Sequence, residues 1–237
     1  MKVEVLSLTR RFGDTVAVDD LSFSLSSGDI IGFVGPNGSG KTTTMNMMAT
    51  LDEPDSGDIL IDGTSIVDYP EIARRHVGFM PDWLPAQSDI TAHEYIDFFA
   101  RAYGYSGDAL EHRVREVEDF TVVTPIRDKV LSALSRGMKQ RVSLARAMVH
   151  DPDVLIMDEP ANGLDPRARI EFREYARKLA DAGKAVFISS HILADLNEIC
   201  TGCVIIERGR LVKNIENGLK GMDLEKVFLE ATKGEVQ

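Results

Sequence analysis

The sequence has few cysteines and no long apolar run. Only two of its 237 residues are cysteines. Cys200 and Cys203 are spaced like a redox pair, but no second pair completes a four-ligand zinc site, so we interpret both as small packing residues. No run approaches the roughly 18–20 apolar residues of a membrane-spanning helix. The strand-like start at residues 1–5 predicts no signal peptide. We therefore expect a soluble, cytosolic chain that reaches a membrane only through a partner.

Positive charge is also scarce. The chain has 27 Lys and Arg against 38 Asp and Glu, and a formal net charge of −11. This balance argues against nucleic acid as the main partner, because phosphate backbones attract basic surfaces. The hydrophobic content of 43% over 237 residues suffices for one large α/β domain, or for one core with a subdomain.

One dense motif stands out from this background. Residues 35–42 read Gly-Pro-Asn-Gly-Ser-Gly-Lys-Thr and fit the phosphate-loop pattern at every fixed position. The apolar stretch 30–34 ahead of it predicts a buried strand, and the residues behind it predict the start of a helix. We expect Lys41 to bridge the β- and γ-phosphates of a nucleotide and the Thr42 hydroxyl to ligate Mg²⁺. A plain turn between strand and helix is the alternative. The predicted phosphate-binding residues are Asn37, Gly38, Ser39, Gly40, Lys41, Thr42 and Thr43.

Strand and helix signals alternate along most of the chain. Segments 3–8, 15–18 and 21–25 predict antiparallel strands, whereas residues 85–150 lose strand character and predict helices at 92–102 and 109–120. Strand 154–157, helix 166–182 and strand 185–188 follow. We predict an α/β fold: a P-loop NTPase core with a mixed or parallel sheet, an N-terminal antiparallel β subdomain and an inserted α-helical subdomain. In this division 1–84 and 151–237 form the core with its β subdomain, and 85–150 form the insertion, within one domain over 1–237.

Two further motifs bear on chemistry. Strand 154–157 ends in Asp158 and Glu159, which places two carboxylates at the edge of a sheet where ligands of α/β folds bind. We expect Asp158 to hold Mg²⁺ through water, and Glu159 to orient and deprotonate an attacking water; solvated acids at a strand end are the alternative. Ser135, in the segment 134–141, can cap a helix whose N-terminus can receive an anion.

The chain resembles the ATPase subunits of ATP-binding-cassette (ABC) transporters. The phosphate loop, the serine–glycine helix start at 134–141, the apolar-Asp-Glu strand and a later histidine occur in that family's order. The resemblance implies a head-to-tail dimer that binds two ATP with Mg²⁺, each held between one subunit's phosphate loop and the other's signature helix. It implies that Ser135 and the Gly137 N–H bind the γ-phosphate held by the partner subunit, and that Asp165 lies near the opposite site. It implies that His191 contacts the γ-phosphate and the attacking water. It also implies that Phe12, with Val16 beside it, stacks on adenine. A core position is the alternative for Phe12.

The chain departs from the family pattern at the signature and after the strand at 77–81. Arg136 and Met138 stand where the family usually has glycine and glutamine, and Asp82 stands where it usually has another glutamine. Asp82 can still face Mg²⁺, directly or through water, but it cannot donate an amide hydrogen bond. These departures, together with the segment 224–230, resemble the subgroup that serves type-two ABC exporters.

That resemblance implies an ATP-hydrolysing subunit that powers export through a separately encoded integral membrane permease. The chain would then be cytoplasmic and peripheral at the inner face of the cell membrane. Residues 83–85, an apolar cluster beside Asp82, are a candidate wall of the permease-docking groove, with ordinary packing as the alternative. A soluble ABC ATPase that drives an assembly process, such as iron–sulfur cluster biogenesis, is the rival function.

Overall fold

A computed structural model describes residues 1–84, 89–216, 218–219 and 221–232. Its strands are β1 (Lys2–Phe12), β2 (Thr15–Ser26), β3 (Ile30–Val34), β4 (Ser56–Ile61), β5 (Thr64–Ser65), β6 (Val77–Met80), β7 (Val154–Met157), β8 (Ala185–Ser189), β9 (Gly202–Glu207) and β10 (Arg210–Ile215). Its α-helices are α1 (Lys41–Met48), α2 (Pro70–His76), α3 (Ala92–Ala102), α4 (Gly107–Phe120), α5 (Arg136–Met148), α6 (Pro166–Asp181), α7 (Leu193–Ile199) and α8 (Leu224–Thr232).

The strands form two sheets. The smaller one is antiparallel, in the order β2-β1-β4-β5. The larger one has the order β10-β9-β3-β8-β7-β6, with β9, β3, β8, β7 and β6 parallel and β10 antiparallel at the edge. Strand, helix and parallel strand alternate through this sheet, so the predicted α/β class, with a mixed sheet and an N-terminal antiparallel sheet, is confirmed.

The second strand is longer than the sequence predicts. Segments 15–18 and 21–25 belong to one strand, β2, which passes through an irregularity in its pairing with β1. Asp20 has a φ of 53° at this point. A bulge of this kind takes up an extra residue without ending the strand, so residues 19–20 do not separate the two predicted segments.

Aromatic residues join the two sheets. Phe23 of β2 stacks on Phe187 of β8 with ring centroids 5.2 Å apart, and Phe33 of β3 lies 4.9 Å from Phe187. Methionines of α1 complete this buried layer. The phosphate-loop helix therefore packs between the sheets, and the strand that precedes the loop is held from both sides.

Helices α3, α4 and α5 occupy the chain between β6 and β7. A capping box at Thr91 begins α3, and Ser135 caps α5 by accepting the N–H of Met138. Val142 and Ala145 of α5 are buried in the core that these helices share with the large sheet. The division at residues 85–150 stays a prediction, and residues 85–88 lie outside the described part of the chain.

The two cysteines lie in the core. Cys200 and Cys203 are buried and free. Burial raises the pKa of both thiols, that of Cys203 to about 12, so neither is an accessible thiolate. Among the described residues, no helix is long and apolar enough to span a bilayer.

Candidate nucleotide-hydrolysing site

The carboxyl ends of four parallel strands meet at one edge of the large sheet. β3 leads into the phosphate loop at 35–42, β7 into Asp158, β8 ends at Ser189 just before His191, and β6 leads to Asp82. Because neighbouring parallel strands end at the same edge, residues far apart in sequence come together there. Topology alone thus gathers the predicted phosphate, metal and catalytic residues in one region.

Two glycines of the phosphate loop allow close backbone contacts. A Cβ on Gly35 would lie 2.4 Å from both Ile206 O and Ser39 Oγ, and a Cβ on Gly40 would lie 2.3 Å from Ala17 O. Gly40 also has a φ of 101°, in the region that favours glycine. No other residue type fits these positions without moving the neighbouring backbone. The tight loop delivers the chain directly into the N-terminus of α1, whose first N–H groups are available to an anion.

The other predicted loop residues take distinct positions. Asn37 and Gly38 are exposed at the tip, and Thr43 is half-buried in the first turn of α1. Ser39 is buried, and its hydroxyl has no hydrogen-bond partner among the described residues. A buried hydroxyl normally has a partner, and a phosphate oxygen in the loop would supply one. The loop therefore fits the phosphates of a nucleotide.

Lys41 lies within the loop that it follows. Its Nζ donates to Gly35 O at 2.7 Å and to Pro36 O at 3.1 Å. Burial lowers the pKa of Lys41, and the carboxylates of Glu159 and Asp158 partly oppose this effect. The side chain is thus a buried cation near two anions, in the position from which an ammonium group can reach bound phosphates.

Asp158 is the most constrained carboxylate of the site. It is buried, its Oδ2 accepts the Thr42 hydroxyl at 2.7 Å, and its Oδ1 accepts the Ser189 hydroxyl at 2.6 Å. Ser189 also accepts the N–H of Glu159 at 2.8 Å, so one buried hydroxyl holds both acids. Sequence analysis did not single out Ser189; its place at the end of β8, just before His191, is the only local signal.

Glu159 and His191 contact each other through their side chains. The Nδ1 atom of His191 lies 2.7 Å from Glu159 Oε2, and the His191 backbone N–H donates to the same oxygen at 3.3 Å. Glu159 has a φ of 47°, a conformation that is strained for a side chain of this type and is found at functional sites. The structure therefore brings the predicted base and the predicted histidine into direct contact.

The predicted partner-facing residues lie at the starts of two helices. Ser135 is exposed and accepts the Met138 N–H at 3.4 Å, and Gly137 packs against the beginning of α6. Asp165 caps α6 by accepting the N–H of Ala168 at 3.0 Å. This capping gives Asp165 a local structural role in addition to any contact that it makes across a dimer.

Two of the three residues that depart from the family pattern, Arg136 and Asp82, contact each other. A guanidinium nitrogen of Arg136 lies 3.8 Å from Asp82 Oδ1, and the Asp82 carbonyl accepts the Gln140 side chain at 3.4 Å. The Arg136 guanidinium also lies against Gly163, where a Cβ would come within 2.5 Å of it. The contacts of Asp82 thus run to α5 rather than to Thr42, and its part in binding Mg²⁺ stays a prediction.

The predicted adenine contact lies on the antiparallel sheet. Phe12, at the end of β1, is 51% exposed, so it is not a core aromatic. Val16 is half-buried on β2, opposite Arg11, while Phe12 pairs with Thr15. An exposed aromatic ring beside a phosphate-binding core offers a stacking surface to a base.

The site fits a magnesium ion that arrives with a nucleotide. The Thr42 hydroxyl and the Asp158 carboxylate, in contact with each other, are the hard oxygen donors that Mg²⁺ prefers. The described part of the chain contains no group of three or more His, Cys, Asp or Glu side chains that could form a protein-only cage. A pair of oxygen donors suits Mg²⁺, which usually completes its shell with water and substrate phosphates.

These features define an α/β nucleotide hydrolase with a phosphate loop. The chain belongs to the ABC transporter family, whose model matches residues 18–162, and it is an ATP-binding and ATP-hydrolysing subunit, as the resemblance predicted. It is 38% identical over 210 residues to Nod factor export ATP-binding protein I of Burkholderia lata, covering 89% of this chain and 69% of that protein. The corresponding protein of Ralstonia nicotianae is 35% identical, with 89% and 65% covered. A solved ATP-binding subunit of an ABC transporter superposes with a TM-score of 0.86 at 29% identity, over 98% of this chain and all of that one.

Proposed function

We propose that this chain powers export through a separately encoded membrane permease, as a peripheral ATPase at the inner face of the cell membrane. The contact between Glu159 and His191, beside a phosphate loop and Asp158, is the observation that carries the catalytic part. The names of the curated relatives, which are export ATP-binding proteins, support the direction of transport. They give no support to an assembly ATPase.

The proposed chemistry follows from the hydrogen bonds of the site. The loop and Lys41 bind the phosphates, and the Glu159 carboxylate accepts a proton from the attacking water. In the tautomer that carries hydrogen on Nδ1, His191 donates to the same carboxylate and keeps it in place. Most of the rate enhancement in phosphoryl transfer comes from such positioning and from charge stabilisation.

We further propose that Mg²⁺ binds at Thr42 and Asp158. When bound with the nucleotide, the ion would supply positive charge beside the phosphates. Asp158 is suited to this position because Ser189 fixes one of its oxygens, while Thr42, itself exposed, contacts the other. Removal of Mg²⁺ by a chelator should abolish turnover.

The active form is proposed to be a head-to-tail dimer. The N-terminus of α5 carries a capping serine and is exposed, which suits it to receive a γ-phosphate from a second copy. Loss of that phosphate on hydrolysis would remove a bridge between the copies, and the resulting opening is a motion that a permease can use.

A groove beside α3 and α5 is the proposed permease contact. It is lined by Leu51, which is 65% exposed, by Phe79 and Phe99, and by the ring of Tyr103, which stacks on His150 with centroids 4.1 Å apart. An aromatic groove of this kind suits an apolar segment of a partner.

The groove also carries positive charge, although the chain is acidic overall. Arg74 and Arg146 both line it. The guanidinium of Arg146 lies 5.3 Å from the centroid of the Phe99 ring and donates to Phe79 O at 2.6 Å. We therefore expect the permease segment to combine apolar side chains with a carboxylate.

The apolar cluster after Asp82 divides between two environments. Trp83 is 68% exposed, whereas Leu84 packs against the helical core, and Pro85 lies outside the described residues. Of the two described residues in this cluster, Trp83 is therefore the one available as a contact surface.

Copurification tests the permease contact. We expect Leu51→Ser and Trp83→Ser to reduce the amount of permease that copurifies with the chain from membranes, while ATP binding is unchanged. Leu229→Ser is the matched control, because Leu229 is an exposed apolar residue on α8 that does not line the groove. Equal recovery of permease with all three variants would refute the assignment of this surface.

A further inference from the structure

We propose that Arg10 positions the base-stacking ring of Phe12 and thereby contributes to nucleotide affinity. The proposal rests on the proposed function as an ATPase and on the predicted stacking of Phe12 against the base of the bound nucleotide. Arg10 lies two residues before Phe12 on β1, so both side chains project from the same face of that strand end. The guanidinium carbon of Arg10 lies 4.8 Å from the centroid of the Phe12 ring, within the range of a cation–π contact.

Arg10 is held from its other side by two aspartates. Its Nε and Nη2 donate to the two oxygens of Asp52 at 3.2 and 2.7 Å, and its Nη1 donates to Asp55 Oδ1 at 3.1 Å. The Arg10 and Asp52 side chains are both about four-fifths buried. A forked, partly buried pair of this kind fixes a guanidinium more firmly than a single exposed ion pair does.

A fixed guanidinium constrains the ring that it covers. Phe12 remains 51% exposed, so while one face of the ring meets Arg10, the ring still offers surface to a planar base. Holding an exposed aromatic side chain in place before the ligand arrives reduces the entropy that binding must overcome. Arg10 is therefore a positioning residue, which acts on the nucleotide through Phe12.

The aspartates connect this ring to the phosphate-binding helix. Asp52 follows α1, the helix that begins at the phosphate loop, by four residues. Asp55 accepts the Arg11 N–H at 2.6 Å, and its own N–H donates to Thr9 O at 2.9 Å. The end of β1 is thus hydrogen-bonded to the segment that follows α1. The base at Phe12 and the phosphates at the loop before α1 would therefore contact directly connected segments.

Paired ligands test the proposal. ADP carries both base and phosphates, whereas inorganic pyrophosphate carries phosphates alone, and neither provides a γ-phosphate for hydrolysis. We expect Arg10→Met to weaken ADP binding about threefold to tenfold, the cost of ordering one side chain on binding, and to leave pyrophosphate binding unchanged, both measured by calorimetry on the full chain. Asp52→Asn should act in the same direction, and Arg10→Lys should weaken ADP binding less.

A double-mutant cycle separates positioning from a direct or structural effect. Phe12→Ala should weaken ADP binding about tenfold or more, as loss of a base-stacking ring does, and Arg10→Met should add nothing in that background. Arg101→Met is the matched control, because Arg101 forms an ion pair with Asp97 on α3, remote from β1. Thermal unfolding of each variant reports on folding.

Each outcome of the cycle has a distinct meaning. The positioning role would be overturned if Arg10→Met weakened the binding of ADP and of pyrophosphate equally. It would also be overturned if the effects of Arg10→Met and Phe12→Ala on ADP binding were additive. Normal ADP binding by Arg10→Met and weak binding by Phe12→Ala would overturn it too, and would leave the base contact of Phe12 intact. If Phe12→Ala itself binds ADP normally, the predicted base contact of Phe12 fails, and the role of Arg10 fails with it, whereas the proposed ATPase function stands.

Discussion

Substitution of Ser189 by alanine should damage both stability and catalysis, because one buried hydroxyl serves both acids. Ser189 Oγ donates to Asp158 Oδ1 at 2.6 Å and accepts the Glu159 N–H at 2.8 Å. The substitution removes a hydrogen bond to a charged group, worth about 1.5–3 kcal/mol, and leaves a backbone donor without its partner, at about 1–3 kcal/mol. Since these costs overlap, we expect a loss of about 2–4 kcal/mol in the free energy of unfolding.

Catalysis should fall as well, since the Glu159 backbone is held in a strained conformation by this bond. Displacement of a catalytic group by about 1 Å can cost about 100-fold in rate, so we expect kcat for ATP to fall about 10- to 100-fold. KM should change less, because no described hydrogen bond joins Ser189 directly to the phosphate loop. Denaturant unfolding and steady-state ATPase assays measure the two effects.

The neighbouring residue supplies the control. Ser190 is also buried, but its hydroxyl accepts the N–H of Ile192 at 3.0 Å, and no described contact joins it to either acid. Ser190→Ala should therefore lose stability by about 1 kcal/mol and keep most of its kcat. If the Ser189 and Ser190 variants lose the same amount of kcat, the hydrogen bonds of Ser189 do not position Glu159.

Three other perturbations give distinct outcomes. Burial lowers the pKa of His150 from 6.5 to about 4, so the unfolded chain binds more protons than the folded chain between these pH values. The free energy of unfolding should therefore fall as pH drops through that window, by less than about 3 kcal/mol because the ring is partly exposed. In His150→Phe, the free energy of unfolding from denaturant titrations should depend less on pH in the same window. Gly163→Ala should cost about 1–2 kcal/mol in denaturant unfolding, because Gly163 has a φ of 67° and the new methyl group would displace the Arg136 guanidinium. Lys41→Ala and Ser135→Arg should each abolish ATPase activity alone, and a mixture should recover part of it, because a mixed head-to-tail dimer contains one intact site; no recovery would argue for sites within single copies.

The sequence predicts those parts of the molecule whose signals are local. Strands β3 and β7 begin and end where their apolar runs do, and the phosphate loop, Asp158 and Glu159 follow directly from these strands. Local apolar runs mark buried parallel strands well. The edge at which the site lies follows from the same pattern.

Contacts between distant segments are not visible in the sequence. Ser189 holds two acids only because β7 and β8 are neighbours in the sheet, and the pairing of Arg136 with Asp82 depends on how α5 packs beside β6. The ion pair between Asp52 and Arg10 likewise depends on the path of the chain after α1. Tertiary structure determines these partners, so no pattern along the chain reveals them.

The molar mass of the Glu159→Gln protein in ATP and Mg²⁺ tests the shared hydrolytic site most directly. If Glu159 is the base and the nucleotide bridges two copies, this variant should bind ATP, hydrolyse it very slowly and accumulate as a dimer of twice the 26.2 kDa of one chain. With ADP it should return to a single chain. A molar mass of one chain with ATP bound, or normal turnover by the variant, would contradict the account.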